Sequence, residues 1–298
     1  MTMHRSRTLI LTAIFLLTSG GCSVNILENF ANKETNGAYY QNAEAMINSA
    51  DYNGAITELA KIKGAYASSN PVISLKASAF LGRCSGKPFL TLVTDLGNIG
   101  ATRLFPWLLS EFIGASSSKI DDCITAQNLI LSLGVVGVRS NNDNLILVLI
   151  ELAKLGKILT YYADLAQTGT RTAAYDSCAV NGSSRPAAAA GSAISDADIG
   201  EFGAGIAMIV ENLTALSGKV TFGSGTLTNV TGVCTALNGF APAYNFCAAT
   251  DPVTYATNTN FRKGVRSLII EGSALGLQGG ACPAVAPNDI SIGGCNCP

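Results

Sequence analysis

Along most of this chain apolar residues recur at helical rather than strand spacing. Tyr39, Tyr40, Ala43, Met46 and Ile47 fall three and four apart, the spacing that lines one face of a helix. A turn at Ala50-Asp51 separates them from a second stripe made of Tyr52, Ala55, Ile56, Leu59 and Ile62. Asn70-Pro71 predicts the end of this pair, because proline disfavours helix in the residue before it. Ile73, Leu75, Ala77, Phe80 and Leu81 predict a third helix. Pro88 suits the first turn of a fourth, which carries Phe89, Leu92, Val93 and Leu96. Pro106-Trp107 reads as a further helix start, with Trp107 a core residue.

The pattern continues through the middle. Ser118 is the expected N-cap of a helix with Asp121 and Asp122 in its first turn and Ile124, Leu129, Leu131, Leu133 and Val136 beyond. Residues 141–144 read as a polar turn and residues 145–165 as a long apolar helix. Glu151, Lys154 and Lys157 break that helix and predict one solvated face. They argue against a membrane span and leave a core helix or a membrane-facing or partner-facing helix. Composition shifts over residues 167–195, where Gly182-Ser183-Ser184 and Ala187 to Ala190 are low in complexity, and the segment reads as a loop or linker. Ser195 with Asp198 has capping-box spacing and opens a helix bearing Ile199, Phe202, Ile206, Ile209 and Leu213. Gly200, Gly203 and Gly205 on it permit close packing. Residues 219–233, rich in Thr, Gly and Val, suggest a hairpin or loop, and Phe261, Val265, Leu268 and Ile269 mark a last helix. The expected fold is all-α. It consists of antiparallel helix pairs over residues 36–166, a loop over 167–195, and a helical, cysteine-rich region over 196–298 with irregular disulfide-held loops.

Ala43, Asp51-Tyr52, Ala55 and Leu59, followed by Pro71, resemble a tetratricopeptide (TPR) repeat. Small alanines let two antiparallel helices approach, and the tyrosine wedges between them. A degenerate second unit would run from Ala77 through Pro88 to Leu96. The first-helix tryptophan and the Leu-Gly pair of the consensus are missing. The stretch also resembles the start of repeat-containing lipoproteins of Gram-negative envelopes. The resemblance implies stacked helix pairs with a groove for a partner.

The first residues set the expected compartment. His4, Arg5 and Arg7 precede a short apolar run over residues 9–17, of signal-peptide length and too short to span a membrane. Ser19-Gly20-Gly21-Cys22 then resembles a bacterial lipobox, with Ser19 where leucine is usual. Residues 1–21 are read as a lipoprotein signal peptide, Cys22 as the lipidated residue carrying acyl chains such as palmitate, and residues 22–35 as a tether. Ser23 resembles the outer-membrane sorting signal, so the expected location is the cell envelope, on the outer membrane facing the periplasm.

Cysteine usage agrees with export. Of nine cysteines, removing Cys22 leaves Cys84, Cys123, Cys178, Cys234, Cys247, Cys282, Cys295 and Cys297. An even set in an exported chain reads as up to four disulfides; eight cysteines allow 105 pairings, and Cys295 and Cys297, too close to pair with each other, are expected to reach different partners. One CxC and no CxxC argue against a zinc site.

Composition narrows the function further. Hydrophobic residues make up 48% and charged residues 13%, which permits a substantial core. Without Arg5 and Arg7 the 19 basic residues fall to 17 against 20 acidic ones, a balance that disfavours nucleic acid. The single histidine is His4, so the region after the signal has no imidazole for Ser-His-Asp or Cys-His chemistry. Ser116-x-x-Lys119 has penicillin-binding spacing without the downstream Lys-Thr-Gly, and reads as a capped helix start. Asp196-x-Asp198 lacks the rest of a calcium loop, and Gly223-x-Gly225 lacks the rest of a nucleotide turn. Asn181, Asn212 and Asn229 begin triplets of glycosylation type at about chance frequency. The expectation is a non-enzymatic protein without metal or cofactor. It would be a lipid-anchored helical scaffold or adaptor for an envelope protein partner, exposed groove positions such as Asn42 and Lys61 contributing. The alternative is a carrier of a small hydrophobic ligand.

Overall fold

The computed structural model describes residues 34–97, 103–173, 175–179, 182–187, 193–219, 247–270, 276–277, 291–292 and 295–297. The described chain is helical, as the apolar periodicity predicts. In order the helices are α1 (Asn36–Asn48), α2 (Tyr52–Ala60), α3 (Asn70–Ser85), α4 (Phe89–Gly97), α5 (Leu104–Glu111), α6 (Ser117–Leu131), α7 (Asn141–Ala163), α8 (Asp196–Leu216), α9 (Pro252–Thr257) and α10 (Thr259–Ile270). A 3-10 turn, Gly64–Ser68, joins α2 to α3. Ser291–Ile292 and Cys295–Asn296 form a two-residue antiparallel pairing near the C-terminus.

Local chemistry explains most helix ends. The Thr35 and Asp51 side chains accept from the backbone N–H groups of Ala38 and Gly54 at the starts of α1 and α2. Ser195 caps α8 by accepting from Asp198, at the spacing read from sequence. Three boundaries differ from expectation. Pro71 begins α3 rather than ending the preceding helix, because a first-turn proline needs no N–H partner. Ser116, not Ser118, caps α6 and accepts from Lys119, which is the capped start expected of the Ser-x-x-Lys spacing. Residues 141–144 are the first turn of α7, not a separate turn. Ser140 and Asp143 close a capping box there, so the polar residues serve the helix end.

Helix α1 runs antiparallel to α2. Asn36, at the start of α1, exchanges hydrogen bonds of 3.0 Å with the backbone of Lys63, just past the end of α2. A small core of Ala43, Ala55, Leu59, Ile62, Val72 and Ala79 lies among α1, α2 and α3. Tyr52 packs on Gly82 of α3, where a Cβ would lie 2.1 Å from the ring.

The main core forms around α7, which contacts α3, α5, α6 and α8. Every α7 residue from Ile146 to Ala163 is buried. Helix α8 runs antiparallel to it: Tyr162 donates to Asp198, Lys154 meets Glu201, and Arg139, just before α7, donates to Asn212. Gly156 receives Phe112, and Gly203 receives the Tyr255 ring of α9. Among the described residues α8 alone has the length and apolarity to cross a membrane, and 72% of that stretch is buried within the fold.

The segment between α7 and α8 is tied to the body. Arg185 pairs with Asp198 at 2.6 Å. Arg266 of α10, 3% exposed, donates to the carbonyls of Ser177, Ala179 and Ile194. Helices on both sides of this segment share one core.

Candidate functional site

The charges of α7 are the first departure from an ordinary helical core. The sequence pattern predicts a solvated face for Glu151, Lys154 and Lys157; their exposures are 0%, 0% and 1%. Residues three apart on a helix are offset by about 60°, so the three side chains point to different neighbours rather than along one wet stripe. Glu151 and Lys154 face α8 and α6. The Lys154 ammonium lies 2.8 Å from Oε2 of Glu151 and 2.8 Å from Oε2 of Glu201 on α8, and donates to Oε1 of Gln127 on α6. Lys154 approaches Glu151 out of line with a good hydrogen bond, and no other donor reaches either Glu151 oxygen among the described residues. Gly205 of α8 makes room for this carboxylate, since a Cβ there would lie 2.7 Å from Oε2. Burial, opposed by Lys154, pushes the Glu151 carboxyl up to about 6.

Lys157 turns the other way. It donates at 2.6 Å to the carbonyl of Ile113, just past the end of α5. Lys119 does the same for Arg83 in the last turn of α3, also at 2.6 Å. Cations at helix C-termini are favoured by the exposed carbonyls and the macrodipole. Burial, with Lys119 and Lys87 nearby, lowers the Lys157 ammonium to about 8. Lys87 itself is held between Asp95 and Glu111.

The second feature is an open groove of about 270 Å³ between α3, α4 and the start of α7, lined by Ser78, Phe89, Asn142, Leu145 and Ile146. Its lining includes none of the buried charges. Leu90, beside Phe89, is 76% exposed. In the connection leading into α7, Val135 and Val138 are 69% and 73% exposed. That connection is braced from within: Arg139 donates to the carbonyl of Gly134 and to the side chains of Asn144 and Asn212, and Asn144 donates to the carbonyl of Val136. These apolar side chains are therefore held out by polar contacts in the core. No protein-family model, curated protein or solved structure matches this chain.

The residues singled out in the sequence are distributed as follows. Cys84 of α3 bonds Cys123 of α6, with Cα atoms 5.3 Å apart, and Cys178 bonds Cys297 at 4.9 Å. Cys247 is also disulfide-bonded. Cys295 is described in its backbone only, and Cys22, Cys234 and Cys282 lie outside the described residues, as do residues 1–33 and 220–246. Asn42 is exposed on α1, and Lys61 pairs with Glu58 and lies 5.4 Å from the centre of the Tyr39 ring. Asn212, one of the glycosylation-type asparagines, is fully buried and bonded to Met208 and Arg139. Trp107 packs edge-on against Phe112 beside the core. The groove has no sequence signature, because three separated segments build it.

Proposed function

We propose that the chain is a lipid-anchored envelope protein acting as a helical scaffold, with an apolar segment of a partner protein seated between α3, α4 and α7. The observation that carries this reading is the open, largely apolar groove lined by Phe89, Leu145 and Ile146. Covering an exposed leucine side chain is worth about 1.5–3 kcal/mol. The repeat-like reading of the N-terminal helices is supported by the antiparallel α1–α2 pair, the fully buried Ala43 and Ala55, and Tyr52 wedged against α3. Anchoring at Cys22 and delivery to the periplasmic face of the outer membrane rest on the lipobox resemblance. The disulfides support an oxidising compartment.

The test is native mass spectrometry of the full-length protein, extracted gently from its own membranes, as wild type and as Asn142→Trp, which enlarges an exposed lining residue and fills the groove. The expected result is a mass beginning at Cys22 plus acyl chains, with a protein partner kept by the wild type and lost by the variant. A small molecule released on denaturation would favour the carrier reading instead. A partner bound equally by both forms would remove the groove from the account.

A further inference from the structure

The scaffold reading makes no use of the charges inside α7. Two carboxylates, Glu151 and Glu201, share the single ammonium of Lys154. Gln127, the contact from α6, is neutral. On α3 and α5, Arg83 is paired with Asp122 and Glu111 with Lys87, so among the described residues the charges acting on Glu151 are those of Lys154 and Glu201. Among the described residues the cluster thus carries one uncompensated negative charge. Glu201 keeps 16% of its side chain exposed and accepts a hydrogen bond from Lys154, whereas Glu151 is fully enclosed without an aligned donor. An excess charge in such a place is removed most cheaply by protonating the carboxylate with the poorest partners.

We infer that Glu151 is a proton-binding site between α7 and α8, which takes a proton from solvent on mild acidification and so tightens the packing of the two helices. The carboxylate accepts one proton and becomes a neutral acid. Lys154 and Glu201 are left as a balanced pair, and the partly exposed Glu201 marks the route to water. The carboxyl titrates near 6 in the fold against 4.5 for the ordinary group. Folded protein therefore binds more protons than unfolded protein between those values, and stability rises as pH falls through this window. Between pH 7 and pH 5 the contribution of this group is a roughly tenfold shift toward the folded state.

The experiment is urea unfolding of the full, disulfide-intact chain at pH 7, 6 and 5, with infrared detection of the buried carboxylic acid band. Three forms are compared: wild type, Glu151→Gln and Glu201→Gln. The wild type should gain about tenfold relative to Glu151→Gln on going from pH 7 to pH 5. Its acid band should appear with a midpoint near 6 and be missing from Glu151→Gln. In Glu201→Gln, Lys154 belongs to Glu151 alone, so the midpoint should move to lower pH. Equal pH profiles for wild type and Glu151→Gln would overturn the inference. Should Glu151→Gln not fold, a wild-type band that is missing near pH 6, or one that Glu201→Gln leaves in place, would overturn it equally.

Discussion

Replacing Gly203 by alanine tests how α8 and α9 are held together. A Cβ at this position would sit 2.3 Å from Cδ1 and 2.7 Å from Cε1 of Tyr255, more than 1 Å inside ordinary van der Waals contact. The ring has nowhere to go: Tyr255 is 1% exposed and lies against Phe261, with ring centres 4.9 Å apart. Helix α9 is only six residues long and leans chiefly on α8, so the clash is relieved by moving α9 or by an off-rotamer tyrosine. Overpacking of this kind costs about 1–3 kcal/mol. Alanine also gains up to about 1 kcal/mol over glycine within a helix. The net expectation is a loss of about 1–2 kcal/mol, read by urea denaturation of the disulfide-intact protein. Two comparisons make the result decisive. Gly37 of α1 has nothing within 4 Å of its would-be Cβ, so Gly37→Ala should be neutral or stabilising. In a Tyr255→Leu background the added methyl no longer meets a ring, and Gly203→Ala should lose most of its cost. The close-packing account would be refuted by equal or higher stability of Gly203→Ala alone, or by an unchanged cost of that substitution in the Tyr255→Leu background.

Other expectations follow from the buried groups. Lys157 titrates near 8 in the fold against 10.5 ordinarily. Its contribution is thus full above 10.5 and lost as pH falls through 8; stability should rise by about 1.3 kcal/mol from pH 7 to pH 9, and Lys157→Met should remove that slope in urea titrations. The Cys84–Cys123 bridge closes a separation of 39 residues, so the double alanine variant should lose about 2–4 kcal/mol in the same assay. Thiol counting on unfolded, unreduced protein should find Cys84, Cys123, Cys178, Cys247 and Cys297 unreactive.

Much of the helical plan is legible in local pattern. The stripes from Tyr39 to Ile62, the cap at Ser195 and the row Phe261, Val265, Leu268 and Ile269 all correspond to helices with those faces buried or partly buried. Gly203 and Gly205 are readable as sites of close approach because a helix interior tolerates glycine poorly without a packing reason. Helix α9 is not readable: six residues hold too few turns to show a period. The first turn of α7 is misread from sequence because Asn141, Asn142, Asp143 and Asn144 favour turns and helix starts alike, and only the partner of the Ser140 hydroxyl separates the two. Of the candidate site, Leu90 and the lining residues carry no pattern of their own.

The sequence by itself determined that the chain would be helical, where most helices lie, which faces are apolar, and that an even set of cysteines remains beyond Cys22. Those are local properties, written in residue type and spacing. Only the tertiary structure decided that α7 is enclosed on all sides, so that Glu151, Lys154 and Lys157 are interior charges, and that Cys84 finds Cys123. Periodicity reports which face of a helix avoids water. It carries no information about what covers the opposite face, because that depends on how many neighbours the rest of the chain brings to it.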